Sequence, residues 1–315
     1  TIEFSRLHSS FWCGKFKLLD KRNVIGETDL HGSTMKHITK TNMEHLSFPL
    51  PPLSEQSRIA AKIAQLFALL RKVESSTQQY AKLQTLLKTK VLDLAMRGKL
   101  VKQDPNDEPA SELLKKIKAE KAELIKEKKI KKTKPLPPIT DDEKPFDIPD
   151  NWKWVRLGDV AENMRYGFTA SAKDEGNSKF LRITDIQDNM VNWNAVPSCN
   201  VPHAKINDLQ LHDEDILIAR TGGTVGKSYL VKKIPGRVVF ASYLIRIRLF
   251  PIQRNDYISL VLKSPLYWHF ISEKQSGTGQ PNVNASKLSE FILPLPPINE
   301  QARIVKMVFN LKNQL

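Results

Sequence analysis

One glycine-rich segment of the chain has the residue types that bind phosphate. It runs from Thr221 to Ser228 and reads TGGTVGKS, with Lys227 beside its last glycine. A nucleotide-binding phosphate loop requires a glycine five positions before Gly226, and that position holds Thr221. A long helix is not expected after it, because Pro235 soon interrupts the β-like residues that follow. The pattern therefore speaks against an NTP-dependent enzyme. It leaves open a loop that approaches DNA phosphate or a plain β-turn.

A second polar segment, residues 276–284, reads SGTGQPNVN and carries three amide side chains. The amides of Gln280, Asn282 and Asn284 have the donor and acceptor needed to bind N6 and N7 of adenine in the major groove. The alternative is a turn in which asparagine side chains bond their own backbone. Both interpretations remain open from the sequence.

The charge balance favours a polyanionic partner. The chain has 49 Lys and Arg against 34 Asp and Glu, a formal net charge of +15, and such an excess favours phosphate contacts with nucleic acid. The alternative is solvated helix faces, since residues 112–134 alone hold ten Lys against four Glu. The predicted DNA-backbone contacts, besides Thr221 and Lys227, are Arg165, Lys173, Lys179, Arg182 and Arg220.

Several classes of protein are disfavoured by composition. No apolar run approaches the roughly 18–20 residues of a membrane span, so no membrane association is expected. Two distant cysteines, Cys13 and Cys199, support neither a disulfide framework nor a zinc site and suit a reducing cytoplasm. The histidines form no metal-ligand pair, and no catalytic triad or methyl-transfer signature is found. We therefore expect a non-catalytic binding protein without metal or cofactor.

A rare phrase occurs twice, 245 positions apart. PLPPLSEQSRI at residues 49–59 returns as PLPPINEQARI at residues 294–304. The spacing is too long for a solenoid repeat and indicates a duplicated domain-plus-helix unit. Ser54 and Asn299 are the predicted N-caps of the two helices that follow the prolines. Because the chain begins at Thr1 and stops soon after the second phrase, we expect it to be cut from a longer parent.

The first of these helices is predicted to be long and to pair with another helix. No Pro or Gly interrupts residues 54–97, and Gly98 is a natural stop. Apolar residues recur at alternating spacings of four and three, which is typical of a coiled-coil seam. The seam residues are Ile59, Ile63, Leu66, Leu70, Val73 and, after Thr77, Tyr80. We favour pairing with the helix of the second copy; the alternative is an amphipathic helix lying on one domain.

The rest of the chain predicts an α+β fold. A helix is expected over residues 110–132, followed by a proline-marked linker and a globular domain that starts near Trp152, where Trp152 and Trp154 act as packing anchors. Within that domain we expect strands at residues 180–183, 215–219 and 238–249, and a helix near residues 256–275.

Five motifs together resemble the specificity subunit of Type I restriction-modification systems. They are the repeated PLPP phrase, AMRGKLV at residues 95–101, QDPNDEPAS at 103–111, PDNWKWVRLGD at 149–159 and DILIARTGG at 215–223. The resemblance implies mixed α/β target-recognition domains joined by long coiled-coil-forming helices. It implies no catalysis by this chain, which would bind double-stranded DNA, dock modification (adenine methyltransferase) subunits and, in the full complex, join a restriction subunit in defence against foreign DNA.

The resemblance also implies a domain map and a rival hypothesis. Residues 1–47 would end a first target-recognition domain, 48–134 form the central helical region, 135–144 a linker, 145–293 the second target-recognition domain and 294–315 the start of the distal helix. Each recognition domain would read half of a bipartite DNA site. The alternative is a stand-alone DNA-binding or regulatory protein that dimerises through its long helix.

Overall fold

A computed structural model describes residues 30–31, 37–38, 50–132, 134–274 and 282–314. Helices and mainly antiparallel sheets make it an α+β protein, as predicted. The chain divides into two compact units, Thr1–Leu83 and Gln84–Leu315. In the first unit, strands β1 (Leu30–His31) and β2 (His37–Ile38) form an antiparallel pair.

The long predicted helix is present as α1, Leu53–Met96, with 44 residues. It begins one residue before the predicted N-cap Ser54, because the Pro52 carbonyl accepts the amides of Glu55 and Gln56, each at 2.9 Å. The second repeat helix likewise begins at Ile298, one residue before Asn299. The predicted side-chain caps are therefore wrong, and proline carbonyls occupy the cap positions in both copies.

The predicted stop of α1 is confirmed. Gly98 has φ +66°, and the Lys99 amide donates to the Leu94 carbonyl at 2.9 Å, which closes a Schellman-type end. Helix α2 begins where predicted but ends early, at Ala110–Lys126 rather than at residue 132. Lys128 turns the chain with φ +59°, and the Lys129 amide bonds the Leu124 carbonyl, so the α-helical ladder cannot continue.

The second unit contains one four-stranded antiparallel sheet, in the order β10-β9-β12-β4. Its strands are β4 (Ala161–Tyr166), β9 (Ile216–Ala219), β10 (Ser228–Leu230) and β12 (Leu244–Leu249). A three-stranded sheet, ordered β11-β5-β8, contains β5 (Ser178–Leu181), β8 (Ser198–Cys199) and β11 (Val238–Phe240). Two antiparallel pairs complete the strands: β3 (Lys153–Arg156) with β13 (Ile292–Leu295), and β6 (Ile186–Gln187) with β7 (Met190–Val191).

Helices pack around these sheets. They are α3 (Leu157–Val160), α4 (His203–Leu209), α5 (Asn255–Val261), α6 (Pro265–Lys274), α7 (Ala285–Glu290) and α8 (Ile298–Gln314). The single strand predicted over residues 238–249 is two strands, β11 and β12, which belong to different sheets and are separated by a turn. The single helix predicted near residues 256–275 is α5 and α6, separated by a short turn ahead of Pro265. The main hydrophobic core includes four isoleucines of the four-stranded sheet, Ile216, Ile218, Ile245 and Ile247.

Candidate nucleic-acid interface

One end of the four-stranded sheet brings an arginine and two tyrosines together. Tyr166 ends β4, Arg220 follows β9, and Tyr243 lies in the turn before β12, the strand between those two. The Arg220 amide donates to the Tyr243 carbonyl at 2.9 Å. The Arg220 guanidinium carbon lies 4.7 Å from the centroid of the Tyr166 ring, in cation–π contact.

The polar segment predicted to read bases joins this end of the sheet. Asn282 forms an antiparallel bridge with Thr221, and the Val283 amide donates to the Arg220 carbonyl at 3.0 Å. The Ala285 amide donates to the Tyr166 hydroxyl, also at 3.0 Å. Three of the predicted site residues, Arg220, Thr221 and Asn282, are thus neighbours. We call Tyr166, Arg220, Thr221, Tyr243 and Asn282 the Tyr–Arg cluster.

The Tyr–Arg cluster has the chemistry of a nucleic-acid contact. Tyr166 and Tyr243 are 40% and 62% exposed, which leaves surface available for stacking. The planar guanidinium of Arg220 lies over the ring of Tyr166. Its two terminal nitrogens carry N–H donors that form a fork suited to a guanine edge or a phosphate. Asn282 is exposed and carries an amide. One cation, two aromatic residues and one amide residue therefore lie at the same end of the sheet.

The glycine-rich segment is the turn of the β9–β10 hairpin. Its centre, Gly222–Thr224, is a single 3-10 turn, and antiparallel β10 follows it instead of a helix, which removes the basis for a nucleotide-binding loop. Gly222 has φ +76°, and a Cβ at Gly222 or Gly223 would meet no atom within 4 Å. The tip is therefore open on the side where a side chain would project, and Gly223 is exposed. Lys227 is exposed, and its carbonyl accepts the Ala219 amide at 2.9 Å.

Four other predicted cations make contacts within the second unit. Arg165 pairs with Asp208 at 2.7 Å, and the Lys179 ammonium donates to the Val196 carbonyl at 3.2 Å. Arg182 pairs with Asp185 at 2.7 Å, and this hydrogen bond raises the pKa of the guanidinium. Lys173 has an exposed side chain, and its backbone bridges Ser198. None of these four contacts joins the Tyr–Arg cluster.

The two remaining amides have different outcomes. Asn284 is the N-cap of α7, where its side-chain oxygen accepts the Lys287 amide at 2.7 Å. Asn284 thus follows the alternative that the sequence left open, in which an asparagine side chain bonds nearby backbone. This hydrogen bond occupies the side-chain oxygen that would accept N6–H of adenine. Gln280 lies outside the described residues. Tyr166 and Tyr243 were not predicted from the sequence, because only pairing between distant strands brings them beside Arg220.

A buried polar clasp ties together three of the sequence motifs. The Glu300 carboxylate accepts the Trp152 indole N–H at 2.9 Å and the Gln103 amide at 2.5 Å, while Arg303 pairs with Asp107 at 2.5 Å. Burial raises the pKa of Glu300. The hydrogen bond from Arg303 lowers the pKa of Asp107. We call these five residues the clasp, and the predicted role of Trp152 as a packing anchor is confirmed, since it is fully buried.

The two copies of the repeat share one local bond. The Gln56 side-chain nitrogen donates to the Pro51 carbonyl at 2.8 Å, and the Gln301 nitrogen donates to the Pro296 carbonyl at 2.9 Å. Glu300 is buried in the clasp, whereas its counterpart Glu55 is exposed. The repeat thus preserves the helix start but not its surroundings.

The predicted coiled-coil seam lies mainly on the surface of α1. Ile59 and Ile63 are half-buried, and exposed residues continue the seam at Leu66, Leu70, Val73 and Tyr80. A row of exposed apolar side chains on one helix is a candidate interaction surface. Within the described residues, no helix has the length and apolarity to span a membrane. The same residues contain no group of three His, Cys, Asp or Glu side chains placed to hold a metal ion.

Residues 15–84 and 149–315 match the family described as Type I restriction modification DNA specificity domain. The specificity subunit of the Type I restriction enzyme EcoEI of Escherichia coli is 32% identical, over 90% of this chain and 57% of that protein. The EcoAI specificity subunit, also from Escherichia coli, is 33% identical over 89% of this chain and 56% of that protein. The chain thus spans little more than half the length of these relatives.

Two solved structures share the fold. A chain from a study of complex assembly and conformational transition of the type I R-M system aligns with 98% of this chain and 64% of its own length, with a TM-score of 0.61 at 19% identity. The HsdS subunit of Thermoanaerobacter tengcongensis aligns with 91% of this chain and 59% of its own length, with a TM-score of 0.50 at 20% identity.

Proposed function

Because this chain belongs to the family of Type I restriction-modification DNA specificity domains, we propose that it is the part of a specificity subunit that reads one half of a bipartite DNA site. It binds double-stranded DNA and performs no catalysis; the adenine methyltransferase chemistry belongs to modification subunits that dock on it. A restriction subunit joins the full complex, which acts in the cytoplasm.

The observation that carries the DNA-binding role is the Tyr–Arg cluster. Arg220 is fixed from two sides, by its backbone bonds to Tyr243 and Val283 and by the ring of Tyr166. A guanidinium held in one orientation loses little side-chain entropy when it binds a base edge or a phosphate. The net charge of +15 supplies the long-range attraction to DNA. Base reading by Asn282 and approach of the DNA backbone to the Gly222–Lys227 turn complete the proposed interface.

The α1 seam is the proposed assembly surface. Leu66, Leu70 and Val73 are exposed at coiled-coil spacing, and burial of each such side chain is worth about 1.5–3 kcal/mol. A second helix of similar length, or a modification subunit that docks on the helical region, would bury them. We retain the predicted domain map, in which residues 48–134 are this helical region, 135–144 a linker and 145–293 the recognition domain.

The test is to express the chain with the modification subunit of its own system and to map adenine methylation across the host genome. Methylation at one new motif that disappears in the Arg220→Ala variant supports the proposal. Co-purification of the two proteins should weaken in Leu70→Glu, which places a charge in the seam, but not in Arg220→Ala.

A stand-alone dimeric DNA-binding protein is the second candidate, because the exposed seam also suits self-pairing. It predicts that the purified chain forms dimers that Leu70→Glu dissociates, together with sequence-specific DNA binding and no complex with the modification subunit. That combination of results would replace the first proposal.

A further inference from the structure

The β9–β10 hairpin that leads from the Tyr–Arg cluster also borders a cleft of about 320 Å³. Two lysines, an asparagine, a threonine and a tryptophan are among the residues lining it: Lys227, Lys263, Asn189, Thr224 and Trp268. We call these five residues and the space between them the lysine cleft. Trp268 is 39% exposed and lies beneath Gly226, where a Cβ would come within 3.1 Å of its ring.

The surroundings of Lys263 disfavour its charged form. Its ammonium donates to the Asn189 side-chain oxygen at 3.1 Å, and among the described residues it forms no ion pair. Asp188 also lines the cleft but does not pair with Lys263. Burial lowers the pKa of Lys263, and the nearby cations Lys312 and Lys232 lower it further. A half-buried ammonium that lacks an ion pair and has two other lysines nearby is stabilised when an anion enters.

The cleft and the Tyr–Arg cluster lie along the same hairpin. The Gly226 amide donates to the Ala219 carbonyl, and the Ala219 amide donates to the Lys227 carbonyl, both at 2.9 Å. Lys227 is therefore paired with the residue that precedes Arg220. Gly222 and Gly223, where a side chain would meet open space, lie between them along the turn. A duplex that contacts Arg220 would follow this turn toward the lysines.

We propose that the lysine cleft binds a backbone phosphate of the DNA, with Lys263 as its central cation and Lys227 at its rim. This inference rests on the proposed DNA-binding function and adds a positioning site to it. A phosphate contact fixes the register of the protein on the duplex without reading sequence. The cleft would hold the backbone while the Tyr–Arg cluster faces the bases.

The experiment measures the affinity of the purified chain for a labelled random-sequence duplex at several salt concentrations. Each phosphate contact contributes about 0.9 to the slope of log K against log salt. The Lys263→Met variant should lower the size of that slope by about 0.9. When salt rises fourfold, the factor by which its affinity falls should therefore be roughly threefold smaller than for the unaltered chain. Lys263→Arg should restore it. Lys118→Met, which removes an exposed lysine of α2, should leave the slope unchanged.

The outcomes separate this proposal from the proposed function. If the unaltered chain binds no duplex, the DNA-binding function itself fails. If it binds and Lys263→Met keeps the original slope, only the lysine cleft is overturned. An equal change in Lys118→Met also overturns it, because the effect would then be one of total charge. If Lys263→Met weakens capture of the modification subunit while the slope stays the same, the cleft binds a protein carboxylate instead. Methionine removes a half-buried charge that has no ion-pair partner among the described residues, so the melting temperature should not fall.

Discussion

Trp152 donates its indole N–H to the carboxylate of Glu300 across 148 positions of sequence, at 2.9 Å in the buried interior. Trp152 stands where the chain enters the globular part of the second unit, and Glu300 stands where the chain leaves it through α8. The bond therefore fastens the start and the end of this region to each other. It fixes the direction in which α8 leaves, which gives the repeated EQxR phrase a structural role at its second copy.

The first prediction concerns this bond. Trp152→Phe keeps an aromatic ring but removes the donor, leaving the buried Glu300 carboxylate with only Gln103 of its two side-chain donors. We expect a loss of about 1–3 kcal/mol in the free energy of unfolding, measured by urea titration. Trp154→Phe is the matched control, because Trp154 is half-buried and packs against Phe146 with 5.1 Å between ring centroids.

The loss in Trp152→Phe should depend on pH. Burial raises the pKa of the Glu300 carboxyl above its ordinary 4.5. The contribution of Glu300 to the free energy of unfolding is therefore greatest below pH 4.5 and declines as pH rises through the folded-state pKa. Removal of the indole donor raises this pKa further. The difference between the two proteins should therefore be larger at pH 7 than at pH 4.5. An equal difference at both pH values would contradict the role assigned to the carboxylate.

The second prediction has the opposite pH dependence. The hydrogen bond from Arg303 lowers the pKa of Asp107 below 3.8, so the stabilisation from this pair is present above pH 3.8 and is lost as pH falls through the folded-state pKa. Asp107→Asn should cost about 1–3 kcal/mol at neutral pH, and the difference should shrink below pH 3.8. Asp174→Asn alters an exposed carboxylate and should show neither effect. A cost for Asp107→Asn that persists at low pH would mean that the carboxylate is not the source.

The elements that are predictable from the sequence are those whose structure is decided by local chemistry. Gly98 was predicted as the stop of α1, because only glycine readily takes φ +66° at that position. Ser54 is not the cap, because the helix already begins at Leu53 and the Pro52 carbonyl accepts the Glu55 and Gln56 amides. The early end of α2 depends on Lys128, whose φ is +59°, and a lysine in the sequence gives no sign of that conformation.

The candidate site was predictable only in part, for a physical reason. Arg220, Thr221 and Asn282 were expected from charge, loop composition and amide chemistry. Tyr166 and Tyr243 carry no local signal, because strand order places them beside Arg220. Lys263 is distinguished by burial and by neighbouring lysines at distant positions, which no window of sequence contains.

The third prediction compares two glycines. Gly98→Ala places a Cβ about 2.5 Å from the Pro149 ring in a left-handed conformation, so we expect a loss of about 2 kcal/mol or more in stability. Gly223→Ala meets no atom within 4 Å and should change stability by no more than about 0.5 kcal/mol. The measurement is the urea midpoint of each variant. A comparable loss in both would contradict the open geometry of the turn.

The fourth prediction tests Arg220 itself. Arg220→Lys keeps the charge but removes the planar fork that stacks on Tyr166. If the guanidinium contacts a base edge, affinity for the target duplex should fall by about 1–3 kcal/mol, roughly 5- to 150-fold, while affinity for random duplex changes little. Arg165→Ala removes a neighbouring arginine that pairs with Asp208 and should lower affinity for the target duplex less than Arg220→Lys does. The target duplex is taken from the methylation motif, and binding is measured by fluorescence anisotropy. An equal loss on both duplexes in Arg220→Lys would make Arg220 a phosphate contact and assign the base reading to Asn282 or another residue.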